Sequence, residues 1–267
     1  MKLFYRKYGN GPPLIILHGL YGSSDNWVTI AKSLSDSFTV YLPDQRNHGQ
    51  SPHSKIHDYD SMKDDLFEMI SDLKLKKFFL AGHSMGGKTA ISFALKWPEM
   101  LNGLLIADIS PFTNETGRDS VYSQHSIILN AMLSFDLNKI STRSEAEKIL
   151  SEKISSEKVR GLILKNLQRT TDNTFLWKLN ASSLLKNLDK IMEGIELKTD
   201  YSQQISGFPV IFLKGGDSDY IPSGDFRDIQ KVFPAAEIIE VHGAGHWIHA
   251  DRPDEIVKNL KMLLGNS

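Results

Sequence analysis

Short apolar runs rich in β-branched and aromatic residues alternate with amphipathic stretches from the N-terminus to Lys96. Leu3–Tyr8 alternates in the period-2 pattern that predicts an edge strand. GNGPP (9–13) predicts a turn into Leu14–Leu17, which is apolar throughout and reads as a strand buried on both faces. Ser24 or Asp25 is placed to cap a helix running through Leu34. Phe38–Leu42 predicts the next strand, and Tyr59–Leu73 a helix with Met62, Leu66, Met69, Ile70 and Leu73 on one stripe. Phe78–Ala81 is again a buried strand, followed by a helix over Met85–Lys96 that stops before Pro98. Leu104–Ile109 predicts another strand.

From Ser110 to about Ser206 the rhythm changes and no fully apolar strand appears. Ser144–Ile154, Val159–Leu167 and Ser183–Ile191 read as helices, and Thr142-Arg143-Ser144-Glu145 matches a capping box for the first. The strand–helix rhythm returns with strand Pro209–Lys214, a helix near Asp225–Val232, strand Glu237–Val241 and a terminal helix from Pro253 to Leu264. This pattern divides the chain into a first core part (1–110), a helical cap insertion (111–206) and a second core part (207–267). Strands separated by helices imply an α/β fold, with a mostly parallel central sheet and helices on both faces.

Composition narrows the function classes. The 267 residues suit one large domain or a domain with an insertion. A formal net charge of −1 offers no global field for nucleic acid or an anionic membrane, so neither partner is expected. The absence of cysteine excludes disulfides, thiolate metal sites and a cysteine nucleophile, and fits a reducing compartment. The N-terminal apolar run Leu14–Leu17 is too brief for a signal peptide or a membrane span, which makes the cytoplasm the expected location.

Residues 82–89, GHSMGGKT, fit two incompatible patterns. G-x-S-x-G is the strand-to-helix elbow that presents a nucleophilic serine. G-x-x-x-x-G-K-[ST] is a phosphate-cradling loop, for which the apolar strand ending at Asp108 would supply a magnesium-holding partner. The phosphate reading leaves His18-Gly19 and Gly243-Ala244-Gly245-His246 without a role. The hydrolase reading needs a serine, then an acid, then a histidine, because a serine hydroxyl is nucleophilic only when an oriented imidazole takes its proton. All three can be placed at the C-terminal ends of predicted strands, where open α/β sheets bind ligands. The hydrolase reading therefore prevails, with nucleotide binding through 82–89 as the alternative and a non-turnover ligand-binding module as a third.

Five blocks also carry a family resemblance: LHGLYGSSDNW (17–27), PDQRNHGQSP (43–52), GHSMGGK (82–88), IADISP (106–111) and GAGHWIHADRP (243–253). Together they resemble α/β-hydrolase-fold esterases, and more narrowly the small bacterial YbfF-type esterases and their mitochondrial ABHD-type relatives. The resemblance runs from Leu14 to the terminal helix and is weakest in the insertion. It implies a cofactor-free hydrolase of small-molecule esters or thioesters with a helical cap. Ser84 is the expected nucleophile, which sets the chain apart from dehalogenases and epoxide hydrolases of the same fold that use aspartate.

Nine histidines compete for the role of base. His246, in the glycine-flanked loop after the last strand, is preferred, with His249 its nearest competitor. His18 and His83 are expected to shape their own loops, and His48, His53, His57 and His125 to be mostly solvated. The acid is open between two positions. The fold's usual G-x-x-D-x-x-x-P spacing, laid on Gly215–Pro222, puts Ser218 where Asp would stand, flanked by Asp217 and Asp219. Asp108, 24 residues after Ser84, is the other position the fold uses; it is preferred, with Asp219 the alternative. The backbone N–H groups of Leu20 and Met85 are the expected oxyanion donors. Arg46 is expected to bond nearby carbonyls or carboxylates. Tyr21, Trp27, Phe112, Tyr122, Phe135, Phe175 and Trp177 are candidates for an acyl pocket or for plain packing, and no metal site is expected.

Overall fold

Leu14 and Ile16 of strand β2 (Pro13–Leu17) pack into one apolar cluster, and Ile15 and Leu17 into another on the opposite face. The same alternation holds in β4 (Phe78–His83), β5 (Leu101–Ala107) and β8 (Val210–Gly215). Such strands are apolar at every position because both faces are covered, which is why they read as continuous runs. The structure, a computed structural model, describes residues 1–112, 118–195 and 204–265, with only the backbone of Arg118.

Strands β1 (Tyr5–Tyr8), β3 (Thr39–Pro43) and β9 (Ala236–Val241) complete a seven-stranded sheet of order β1-β3-β2-β4-β5-β8-β9. Every pairing is parallel except the edge strand β1 against β3. One face is covered by α1 (Val28–Leu34) and α11 (Pro253–Gly265), through Ile30, Leu34, Ile256, Leu260 and Leu263. The other is covered by α2 (Tyr59–Asp72), α3 (Met85–Lys96) and α9 (Phe226–Val232). The chain goes from β2 outward to β3 and returns to place β4 on the far side of β2, making a topological switch point between β2 and β4. No helix among the described residues is long and apolar enough to cross a membrane.

Between β5 and β8 the chain forms α4 (Arg118–Leu133), α5 (Arg143–Ser151), α6 (Glu157–Leu164), α7 (Ala181–Lys186) and α8 (Leu188–Met192). A two-stranded hairpin, β6 (Leu167–Arg169) with β7 (Phe175–Trp177), lies among them. The reading of Val159–Leu167 as one helix is thus corrected: the helix ends at Leu164 and Leu167 opens a strand. Ser183–Ile191 is likewise two helices, broken at Asn187, whose side-chain amide donates to Lys55 O at 2.9 Å. The capping box of α5 forms in modified shape: Glu145 N donates to Thr142 Oγ1 at 3.1 Å, while the Glu145 carboxylate accepts from Ser141 N. At the other end of the chain, Ser24 and Asp25 lie inside a short 3₁₀ turn rather than capping α1. The four-residue α10 (Ile248–Asp251) precedes α11.

Apolar residues of the insertion, including Ile128, Leu129, Leu150, Ile163, Leu184 and Leu188, close over Leu20, Tyr21, Tyr59, Met62 and Met85 of the core. The loop after β3 is caught beneath them. Asn180 N donates to Asn47 O at 2.9 Å and Ser183 Oγ to Ser54 O at 2.6 Å. His48 and His57 are consequently fully buried, not solvated as the polar run around them suggests, whereas His53 is exposed. Arg46 forms a two-pronged pair with Asp65 of α2, Nε to Oδ2 at 2.6 Å and Nη2 to Oδ1 at 2.8 Å, and both residues are buried.

Removing one partner of a buried ion pair costs about 3–5 kcal/mol when the other charge is left alone. Asp65 would keep only the Met1 ammonium, which lies 2.6 Å from Oδ1, so the lower end of that range applies. Arg46→Ala is therefore expected to lower the melting temperature by roughly 10 °C, measured by circular dichroism. A change under about 2 °C would show that the pair contributes little.

Candidate active site

Because β2, β4, β5, β8 and β9 run parallel, their C-terminal ends emerge along one edge of the sheet. Strand β4 ends at His83 and α3 begins at Met85, so the chain must reverse at Ser84, which sits at φ 52, ψ −120. Strain of this kind costs about 1–3 kcal/mol and persists only where the surroundings enforce it. The enforcing contacts are close backbone approaches. A Cβ on Gly82 would lie 2.2 Å from Gly86 O, and one on Gly86 would lie 2.5 Å from Leu17 O. Only glycine fits at either place, so the G-x-S-x-G spacing is a packing requirement of the turn.

The loop after β9 carries His246 to Ser84. The Ser84 hydroxyl donates to His246 Nε2 at 3.0 Å, and His246 Nδ1–H donates to Asp108 Oδ2 at 2.8 Å. Asp108 follows β5 directly, has φ 50, and is fully buried. Its second oxygen accepts from Gly215 N at 2.8 Å, and Ser218 Oγ donates to the same Oδ2 that holds His246. The carboxylate thus has donors on both oxygens, as a buried charge requires. Asp217 and Asp219 are exposed beside the cleft.

Two contacts absent from the sequence reading support His246. Tyr220 stacks on the imidazole with centroids 3.6 Å apart and planes at 17°. His83 Nε2–H donates to His246 O at 2.7 Å, tying the loop after β9 to the elbow. Ser218 stands where the G-x-x-D-x-x-x-P frame calls for aspartate, and here its hydroxyl bonds Asp108 instead; nothing in the spacing singles out Tyr220. His249, the competing histidine, stacks on Trp27 at 4.7 Å.

The turn after β2 is shaped by His18. Gln45 N donates to His18 Nε2 at 3.0 Å, so Nδ1 carries the hydrogen and donates to Gly19 O at 2.9 Å. Thr89 Oγ1 donates to Gln45 Oε1 at 3.0 Å and is buried. Lys88, also buried, donates through Nζ to Glu193 O. Both side chains named by the phosphate-loop reading thus take part in internal packing, and that reading is not favoured. Among the described residues no group of three or more His, Asp or Glu side chains converges as a metal site.

Ser84 and His246 open onto a cleft of about 380 Å³. Leu20 and Met85, the expected oxyanion donors, line it with Tyr59, Ile109, Phe112, Ile191, Met192 and Tyr220. Of the aromatic candidates only Phe112 is among these; Trp27 belongs to the sheet core, and Phe135, Phe175 and Trp177 pack within the insertion.

A family model described as alpha/beta hydrolase fold matches residues 12–253. The chain belongs to this family. It is 35% identical over 254 residues to the sn-1-specific diacylglycerol lipase ABHD11 of Danio rerio, covering 94% of this chain and 78% of that protein. It is 33% identical over 258 residues to a putative esterase/lipase of Haemophilus influenzae, covering 97% and 85%. Among solved structures, a marine microorganism esterase superposes with a TM-score of 0.92 at 43% identity, covering 98% of this chain and 99% of that one.

Burial disfavours the charged form of six of the nine imidazoles in this α/β hydrolase. Burial pushes His57 and His249 down to about 3 and His125 to about 4, and it holds His18, His48 and His83 below their ordinary range as well. Near neutral pH these rings are uncharged in both folded and unfolded chains. As pH falls through about 6.5, the unfolded chain takes up protons that the folded one cannot, so stability is lost on acidification. Each such histidine contributes a slope of up to about 1.4 kcal/mol per pH unit. Urea melts are therefore expected to show stability falling steeply between about pH 6.5 and 5, before carboxylates protonate, with an uptake of roughly three or more protons on unfolding. A flat profile over that interval would contradict the burial.

Proposed function

We propose that the protein is a serine carboxylesterase or thioesterase acting through an acyl-serine intermediate. The observation that carries this reading is the relay from Ser84 Oγ to His246 Nε2 (3.0 Å) and from His246 Nδ1 to Asp108 (2.8 Å), in a chain whose relatives include esterases and lipases. Ser84 attacks the substrate carbonyl while His246 takes its proton, and Asp108 keeps the ring in the tautomer whose Nε2 is free to accept. The charge that develops on the carbonyl oxygen is held by the backbone N–H groups of Leu20 and Met85. His246 then returns its proton to the leaving group, activates a water, and the acyl-enzyme is hydrolysed.

The apolar walls formed by Leu20, Met85, Ile109, Phe112, Ile191 and Met192 suit the acyl part of a small or medium-chain ester. Stacking of Tyr220 on His246 gives the transient imidazolium an aromatic face. Burial, then the charge of Asp108, pushes the Tyr220 hydroxyl up to about 12, so it stays neutral throughout turnover.

Steady-state hydrolysis of p-nitrophenyl butyrate separates the assignments. Ser84→Ala is expected to lower kcat by about 10⁵-fold or more. Asp108→Asn should cost about 10⁴-fold, because the amide favours the wrong tautomer of the base. Asp219→Asn should leave kcat within roughly threefold of the parent, as expected of an exposed carboxylate outside the relay. The reverse order for the two aspartates would move the acid to the loop after β8, and full activity of Ser84→Ala would remove the mechanism.

A further inference from the structure

The turn after β2 holds a tyrosine where backbone geometry favours glycine. Gly22 N donates to Gly19 O at 2.9 Å, closing a four-residue turn with Leu20 and Tyr21 at its corners. Tyr21 has φ 65, while Leu20 keeps a negative φ. That is the type II arrangement, whose third position is normally filled by Gly or Asn. A bulky side chain in this region is a steric outlier and persists only where its surroundings over-determine it.

Three contacts from the insertion meet Tyr21. Its hydroxyl is hydrogen-bonded to Nδ1 of His125, in α4, at 2.9 Å. Its ring lies against the His125 ring with centroids 5.5 Å apart. Its carbonyl oxygen accepts from Nδ2 of Asn166, between α6 and β6, at 2.8 Å. Asn166 is itself fixed at both backbone groups: its N–H donates to Ile163 O and its carbonyl accepts from Lys178 N, each at 2.9 Å. Tyr21 and Asn166 are both buried. Burial keeps His125 uncharged near neutral pH, so its ring retains one bare nitrogen able to accept a hydrogen. Neither Tyr21 nor Asn166 is among the residues lining the cleft, whereas their neighbour Leu20 is.

We propose that the insertion positions the oxyanion turn through Tyr21. His125 on the hydroxyl and Asn166 on the carbonyl hold the left-handed conformation that sets the Leu20 N–H for the developing oxyanion. Tyr21, Asn166 and His125 are positioning residues in this scheme, and the helical layer completes the catalytic apparatus as well as covering it. The proposal rests on the acyl-serine reading above.

The test is kcat and KM for p-nitrophenyl butyrate in Tyr21→Phe and Asn166→Ala, with the same pair of measurements for Asn166→Ala in a Tyr21→Gly background. Losing an oxyanion donor outright costs about 10²–10³-fold in kcat, so loosening one is expected to cost about tenfold or more, with KM within roughly threefold. Glycine takes the left-handed conformation without support, so in the Tyr21→Gly background Asn166→Ala should cost less than about threefold. A kcat within about twofold of the parent in both single variants, a loss carried by KM, or an equal penalty in both backgrounds overturns the proposal. Should Asn166→Ala fail to fold, Tyr21→Phe decides alone, because it removes one oxygen atom and leaves the ring packing intact. Parent turnover and its loss in Ser84→Ala, run in the same assay, distinguish a failure of the hydrolase reading from a failure of this one.

Discussion

Strand β4 must turn into helix α3 within a single residue, and that residue is Ser84, held at φ 52, ψ −120. The neighbouring architecture accommodates this reversal. Gly82 and Gly86 let the strand and helix close on each other, and Leu17 and His18 press their carbonyls against Gly86 from the adjacent strand. Strain recurs along the same edge: Tyr21 after β2, Asn47 in the loop after β3 and Asp108 after β5 all have positive φ. The parallel sheet supplies rigid, evenly spaced exits, and the energy stored there is offset by the packing of a large core.

Electrostatics follow from burial at that edge. Asp108 is fully enclosed, yet its oxygens accept from Gly215 N, Ser218 Oγ and His246 Nδ1. Around it lie imidazoles that burial keeps neutral, so they serve as hydrogen-bonding spacers. His18 shapes the turn after β2 and His83 anchors the backbone of His246. Low local polarity makes every fixed donor at this edge count for more than it would in water.

Legibility differed by the range of the forces involved. β2, β4, β5 and β8 were visible in the sequence because a strand covered on both faces is apolar at every position. The hairpin β6–β7 was not, since its strands are three residues long and Leu167-Gln168-Arg169 carries only one apolar residue. Helix α4 was also missed; Ile127 and Leu133 remain exposed on it, so its apolar stripe is blurred. Glycine spacing marked Ser84 and His246, because tight turns impose local rules. That Asp108 rather than Asp219 meets His246 was beyond local rules: it depends on β5 pairing with β8, which brings Asp108, Gly215 and Ser218 together. Burial of His48 and His57 was equally non-local, arising only once α7 and α8 lie over a polar loop.

The measurement that bears most directly on the account is covalent labelling with a fluorophosphonate, followed by mapping of the modified peptide. The account predicts an adduct on Ser84 whose formation is suppressed by His246→Ala, since the hydroxyl is reactive only with its base in place. An adduct on a different serine, or labelling at Ser84 that is indifferent to His246, would contradict it.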